Sequence, residues 1–588
     1  MSQAFVPQVS AAASDGQLAT RSSDEADARA AMKDGLIHAA QARAWGGLSA
    51  IGQGLAFLDW GVHLANAPFR RAALARSAAR QWLRLAEAAS GETAIAPPPN
   101  DHRFADPAWG RAPFNLLAQA FLLGEEWWAQ AARAPAGVSR ENERIVSFMI
   151  RQLVDMTSPS NVPWLNPEVL SATYESGGAN FVAGFDNFLT DLEELLSGRA
   201  HGEHQFRIGE DLAATPGQVV FRNALIELIQ YAPTTAEVAR EPVLIVPAWI
   251  MKYYILDLSS QNSLIRYLVG QGHTVFAISW RNPDEGMRDT TLDDYRVEGV
   301  MAALDVVSDI CGGAKVQACG YCLGGTLLAI AAAAMARDHD DRLASVTLFC
   351  AQTDFTEAGE LQLFITEDQL AFLEDLMRVQ GYLGSGQMAG AFQMLRSNDL
   401  IWSRAIKTYL LGEREHPNDL MAWNADGTRM PARMHAEYLR RLFLENELAE
   451  GRFPVGGRPI SISDIRLPCF VVGTETDHIA PWRSVYKIHL LTEAELTFVL
   501  TSGGHNAGVV SEPGHPHRRF HIGRFAPEAL YVGPDEWLAG AEVREGSWWP
   551  AWSDWLAARA SGRIKPPAMG SAAHPPIEAA PGRYVRDH

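Results

Sequence analysis

From about Gly209 onward the chain repeats one unit: a short apolar run, a turn, and a helix-length amphipathic stretch. "PVLIVPA", "HTVFAISW", "KVQACGY" and "SVTLFCA" read as strands, with "SLIRYLVGQG", "YRVEGVMAALDVVSDI" and "GGTLLAIAAAAMA" as the helices between them. These strands are apolar without alternation, so both of their faces must be covered. "ALIELIQY", ahead of them, alternates instead and predicts one polar face. A parallel sheet between layers of helices follows, and the fold class is α/β. Between Phe355 and Arg429 the repeat stops for a leucine- and methionine-rich helical insert, before "PCFVVGTETD", "RSVYKIHLL" and "LTFVLTSGGH" resume it. An insert at this point lies over the carboxyl ends of the strands, where such sheets bind ligands, and is a candidate lid.

The first third reads differently. From about Ala40 to Leu196, "LLAQAFLLGEEWWAQAARA" and "ENERIVSFMIRQLVDM" carry apolar residues at three-to-four spacing, which predicts a helical unit with a tryptophan-rich core. The rival expectation turns those aromatics outward, toward a partner or an apolar product. "TSPSNVPWLNPEVL" and "SGGANFVAG" read as ordered turns that interrupt the helices. The expected division is a disordered tail over residues 1–35, a helical domain over 36–205, and an α/β domain over 206–588 with its lid at 355–429. A chain of 588 residues that is 47% hydrophobic can bury more than one core. Its formal charge of −19 opposes nonspecific binding to nucleic acid or anionic lipid, so any anionic substrate must meet local arginines. Five cysteines in such a length make no disulfide framework and fit a reducing cytoplasm. The N-terminus has no basic segment followed by an apolar one, which argues against a secretory signal. The longest apolar run, Leu327 to Ala336, is far short of the roughly 18 residues that suggest a membrane span. A soluble or peripheral protein is expected.

The stretch "QACGYCLGGTLL" carries two overlapping patterns. Cys319 and Cys322 form C-x-x-C, a metal or redox motif, but Cys311, Cys350 and Cys469 stand alone, and His515, His517 and His521 are explained as a polar loop. No metal is expected. Cys319 lies inside an apolar strand, where it reads as a small buried hydrophobe. Gly320-Tyr321-Cys322-Leu323-Gly324 matches the nucleophile elbow G-x-S-x-G with cysteine for serine. The elbow turns a strand sharply into a helix, so its neighbours must be small, as Gly320, Gly324 and Gly325 are. Cys322 then stands at a helix N-terminus, whose amides and dipole face the sulfur.

In α/β-hydrolase folds the acid and then the histidine follow the nucleophile, each at a strand end. Asp477 after "CFVVGTET" and His505 in "SGGH" take those places, with Asp354 in "CAQTDF" as the rival acid. His505 is the candidate general base and Asp477 its orienting partner. His478 reads as a hydrogen-bonding neighbour that points elsewhere. The amide of Leu323 and one near Trp249 or Ile250 are the candidate oxyanion donors. A cysteine in place of serine favours acyl transfer from a thioester, since transfer between sulfurs is nearly isoenergetic and a later hydroxyl attack is downhill.

The chain resembles the polyhydroxyalkanoate synthases, class I members above all. The resemblance rests on "DHRFADPAW", "SPSNVPWLNPEVL", "SGGANFVAGFDNF", "KYYILDLSSQNSLIRYLVGQGHTVFAISWRNPDE", "GYCLGG", "LMAWNADGTRMP", "GTETDHIAPW" and "SGGHNAGVV". It implies an α/β-hydrolase-fold acyltransferase whose nucleophile, acid and histidine fall on Cys322, Asp477 and His505. It further implies (R)-3-hydroxyacyl-CoA, chiefly 3-hydroxybutyryl-CoA, as substrate, a growing polyester as product, and CoA as a released group rather than a cofactor. A homodimer on the surface of cytoplasmic polyester granules is part of the same expectation. Trp423 in "MAWNADG" matches a family tryptophan near the site, and Arg396 in "LRSNDLIW" is a candidate contact for CoA phosphates. The chain departs from the family pattern in "PAWIMKYY", with Ala248 and Met251 where many members have Pro and Asn, and in Asn506 after His505. A cysteine thioesterase or polyester hydrolase of the same fold is the alternative, and an inactive granule-surface protein a third.

Overall fold

The structure is a computed structural model that describes residues 33–38, 49–90, 93–98, 101–133, 135–197, 206–388, 390, 401–414, 416–527 and 529–587. Most of the tail expected over 1–35 lies outside these residues.

The α/β portion is built on an eleven-stranded sheet. In chain order its strands are β1 (Gly217–Arg222), β2 (Ile226–Tyr231), β3 (Val243–Val246), β4 (Val275–Trp280), β5 (Val316–Tyr321) and β6 (Leu343–Phe349). They continue with β7 (Cys469–Thr474), β8 (Leu496–Thr501), β9 (Arg519–Phe525), β10 (Glu542–Glu545) and β11 (Glu578–Ala579). Across the sheet the order is β10-β9-β8-β7-β6-β5-β3-β4-β2-β1-β11. The span from β4 to β8 is parallel, and the strands at both edges are antiparallel. From β3 the chain steps outward to β4, then returns to the other side for β5, so the crevice above β3 and β5 is the switch point where such folds bind ligands. Two large apolar cores cover the two faces, as the unbroken Val, Ile and Leu runs require.

The expectation of a polar face on β2 is corrected. All six of its residues are buried. The carboxyl-terminal segment lies against this strand and satisfies its polar side chains: Glu227 accepts from the amides of Arg583 and Tyr584, and Gln230 bonds Ala568 and Gly570. A polar residue in an alternating run becomes buried when a distant segment supplies its partners.

The N-terminal region is helical: α1 (Ala50–Ala65), α2 (Pro68–Ala88), α3 (Phe114–Ala132), α4 (Arg140–Met156), α5 (Pro167–Ser176) and α6 (Ala179–Ser197). Ser49, Ser139 and Asn166 cap α1, α4 and α5 by accepting amide hydrogens, and Gly177 ends α5 in the left-handed conformation. Arg103 ties this unit together from a site 6% exposed, with Asp101, Glu125 and Asp155 around its guanidinium. The expectation of a tryptophan-rich core is also corrected: among the described tryptophans of the region only Trp109 is buried, while Trp82, Trp128 and Trp164 are exposed. The helices bury mostly alanine, leucine and valine, with Phe148, and leave several large aromatics exposed, among them Phe69, Trp82, Trp128, Tyr174 and Phe185.

After the elbow helix α7 (Leu323–Arg337) and β6, the insert begins. It contains α8 (Glu367–Gln380), α9 (Asp419–Ala425), a ribbon of Tyr382–Leu383 with Met430–Pro431, and further helix over Ala432–Tyr438 and Leu439–Leu444. The helical stretch thus continues past Arg429. The N-terminal helices dock on this insert: Asn180 and Asn187 of α6 donate to Leu410 and Thr408 carbonyls, Phe148 of α4 packs edge-on against Phe364, and Arg151 pairs with Glu360.

Candidate active site

The elbow is formed as its composition predicts. Cys322 follows β5 with φ 52° and ψ −124°, a left-handed turn that a non-glycine residue adopts only when its surroundings impose it. Its amide donates to Phe349 O at 2.8 Å, while its carbonyl accepts from Gly325 and Thr326 and starts α7. The glycines are required by contact. A Cβ on Gly320 would lie 2.3 Å from Gly325 Cα, one on Gly324 2.2 Å from Val246 O, and one on Gly325 2.5 Å from Ala351 Cβ. Gly324 therefore lets the elbow close onto the loop that leaves β3, the loop that carries Ile250.

His505 and Asp477 meet beside it. His505 Nδ1 donates to Asp477 Oδ2 at 2.7 Å, and both residues are buried. Asp477 also accepts from Thr474 Oγ1 at 3.1 Å and from the amides of Ile479 and Ala480, each at 2.9 Å. Burial alone would raise its carboxyl, but His505 and these donors outweigh it and hold it below the usual range. Burial likewise opposes protonation of His505, yet Asp477, through its charge and its hydrogen bond, outweighs it and pushes the imidazole well above its ordinary value. Asp354 is elsewhere: its carboxylate accepts from Thr356 and Asn446, so it is not the partner of His505.

The remaining sequence candidates divide. Leu323 supplies the first amide of α7, which has no intrahelical acceptor. Ile250 is half-buried in the loop after β3, held there by Thr428, whose hydroxyl donates to Trp249 O at 2.7 Å and whose amide donates to Ile250 O at 3.4 Å. Trp423 is buried, and its indole N–H donates to Lys252 O at 2.8 Å, so it supports this loop from behind. His478 lies in the same turn as Asp477, with its carbonyl packed against Gly359. Arg396 lies outside the described residues. Cys319 is buried within β5, opposite Ile245 and Thr347, and burial drives its thiol far up.

Three neighbours had no signal of their own in the sequence. Tyr321, the variable residue of the elbow motif, donates to Asn506 Oδ1 at 2.6 Å and lays its ring 5.5 Å from that of His505. The asparagine that departs from the family pattern is therefore bonded to the phenol. Tyr438 of the insert is buried with its ring edge-on to that of Trp249 at 6.1 Å, and it lies within electrostatic reach of Cys322, so the insert extends to the neighbourhood of the thiol. Cys350, directly after β6, sets its Sγ 3.9 Å from His505 O and 3.8 Å from Thr474 Oγ1. With Asp477 and His505 it forms the only metal-type cluster among the described residues, their ligand atoms all within 4.8 Å. The hydrogen bond between Asp477 and Nδ1 of His505 already occupies that nitrogen.

A strained cysteine between a parallel strand and its helix, with a buried His–Asp pair from the ends of β7 and β8, is the arrangement of an α/β-hydrolase-fold enzyme, with sulfur at the position of the elbow's nucleophile. The alpha/beta hydrolase fold profile matches residues 241–511, and profiles described as the N-terminus of poly-beta-hydroxybutyrate polymerase match residues 100–268 and 28–70. The chain is 42% identical over 520 residues to the poly(3-hydroxyalkanoate) polymerase of Methylorubrum extorquens, covering 87% of this chain and 86% of that one. It is 39% identical to the polymerase subunit PhaC of Rhizobium meliloti, covering 83% and 80%, and 38% identical to that of Cupriavidus necator, covering 86% of each. The chain belongs to the poly(3-hydroxyalkanoate) polymerase family.

Proposed function

We propose that this protein is an acyltransferase that polymerises (R)-3-hydroxyacyl-CoA, chiefly 3-hydroxybutyryl-CoA, into polyester with release of CoA. The observation that carries the reading is the thiol of Cys322 on the elbow beside the His505–Asp477 pair. His505 takes the thiol proton, and the Cys322 sulfur attacks the thioester carbonyl. The amides of Leu323 and Ile250 receive the oxyanion; the thioester C–S bond breaks, and CoA leaves as the thiol with the proton that His505 took from Cys322, so the imidazole is neutral again. The hydroxyl of a second 3-hydroxyacyl group then gives its proton to His505 and attacks the acyl-cysteine, forming the ester. Nucleophile, base and oxyanion donors are all supplied by the chain, and CoA enters with the substrate, so the reaction calls for no further cofactor.

The insert and its Tyr438 support the exclusion of water that synthesis requires over hydrolysis. The exposed aromatics and aliphatics of the N-terminal helices suit the surface of a polyester granule in the cytoplasm, and a homodimer is the proposed working state. No helix among the described residues is long and apolar enough to cross a membrane. Incubating the purified protein with 3-hydroxyacyl-CoAs of several chain lengths, with CoA release and polymer mass as readouts, tests the reading. CoA release with high-mass polyester is expected, whereas free hydroxy acid as the product would overturn it in favour of a thioesterase.

A further inference from the structure

Cys350 has no part in the reaction above, yet it is built into the floor of the site. Tyr321 and Phe349 are register partners at the ends of β5 and β6, and the Cys322 amide continues that ladder by donating to Phe349 O at 2.8 Å. Cys322 and Cys350 are therefore the next pair along two adjacent parallel strands. Such strands lie about 4.8 Å apart, inside the Cα separation of about 4.4–6.8 Å over which a disulfide can close. Both residues leave their strands at positive φ, 52° and 48°. Cys350 Sγ lies 3.9 Å from His505 O, and the ring of Tyr321, the residue before Cys322, lies 5.5 Å from that of His505.

We propose that Cys350 is the resolving thiol of a peroxide-sensitive switch, closing a Cys322–Cys350 disulfide that reversibly shuts the active site. The proposal rests on Cys322 being the nucleophile. In the first step the Cys322 sulfur attacks one oxygen of hydrogen peroxide; the O–O bond breaks, hydroxide leaves to become water, and the sulfur is oxidised to sulfenic acid. In the second the Cys350 sulfur attacks the Cys322 sulfur; the S–O bond breaks, the S–S bond forms, and the hydroxyl departs as water with the proton of the Cys350 thiol. A dithiol reductant returns both thiols. Cys319 lies three residues back in β5, in register with Ile245 and Thr347, and so is not a neighbour of Cys322 across the ladder. Burial pushes the Cys350 thiol up to about 11, so at rest it does not compete with Cys322 for acyl groups. Without Cys350, a sulfenic acid at Cys322 is open to a second molecule of hydrogen peroxide, which gives one oxygen to the sulfur, leaves as water, and yields the irreversible sulfinic acid.

The test treats the purified full chain with excess hydrogen peroxide, alkylates the remaining thiols, and maps peptides by mass while CoA release is followed. The expected result is a linked Cys322–Cys350 peptide two hydrogens lighter than its parts, together with lost CoA release that dithiothreitol restores. Prior acylation with 3-hydroxybutyryl-CoA should protect. In Cys350→Ser, measured against its own untreated rate, recovery by dithiothreitol should fall below about a tenth, with Cys322 found as sulfinic acid. Inactivation of the unaltered protein without the linked peptide would overturn the switch, as would full recovery of Cys350→Ser. Failure of the nucleophile assignment would show separately, as CoA release by Cys322→Ala before any oxidant is added.

Discussion

At Cys322 the backbone sits in a conformation that costs a non-glycine residue about 1–3 kcal/mol, and the surrounding contacts compensate it. Cys322→Ala should keep the fold and abolish CoA release, whereas Cys319→Ala, three positions earlier in β5, should retain most of it. Gel filtration and a CoA assay check both, and equal loss would return the C-x-x-C reading to consideration. Asp477→Asn should lower CoA release by about 10³–10⁴-fold, because it removes the charge and the acceptor that fix the His505 tautomer. The same pair links stability to pH. His505 is raised in the folded state, so its contribution is complete below its ordinary value of about 6.5 and is lost as pH rises through the raised one. Asp477 is lowered, so its contribution is complete above about 4 and is lost as pH falls through the depressed one. The melting-temperature gap between the unaltered protein and Asp477→Asn should therefore be widest between about pH 4.5 and 6 and narrow on either side.

Among the elements, the insert joins the two halves of the chain. Gly184 of α6 faces the insert so closely that a Cβ there would lie 2.0 Å from Tyr409 O. Tyr409 in turn donates its hydroxyl to Asp191, which also pairs with Arg414. Gly184→Val should force α6 off this surface at a cost of about 1–3 kcal/mol. Limited proteolysis should then cut near residues 401–414 faster than in the unaltered protein, while Gly54→Ala on α1, where the added methyl meets nothing within 4 Å, should change nothing. The helices of this region were legible from their three-to-four spacing. The direction their aromatics face was not. Exposure depends on what the helices pack against, and the partner surface is the insert, more than two hundred residues away in the chain.

Across the whole molecule, the C-terminal segment closes the structure over the edge of the sheet. Its backbone supplies amides to buried Glu227, Tyr584 donates to Asn223 O, and buried Lys252 donates to the carbonyl of Asp587. Lys252 directly follows the loop that carries Ile250, so this contact ties the chain end to the oxyanion loop. Deleting residues 584–588 should destabilise the protein by about 3 kcal/mol or more, since it leaves a buried ammonium without its partners. A lowered melting temperature in calorimetry, with no gain in activity on chilling, is the expected outcome; an unchanged melting temperature would show that the tail is dispensable. The sequence by itself determined the α/β class, the elbow and the order of Cys322, Asp477 and His505, because strand periodicity, glycine requirement and strand-end placement are local properties. Only the tertiary structure decided that His505 pairs with Asp477 rather than Asp354, that Asn506 bonds Tyr321, that Cys350 lies beneath the catalytic pair, and that β2 is buried on both faces. Each of these depends on which strands become neighbours and which distant segment covers them, and no run of adjacent residues encodes that.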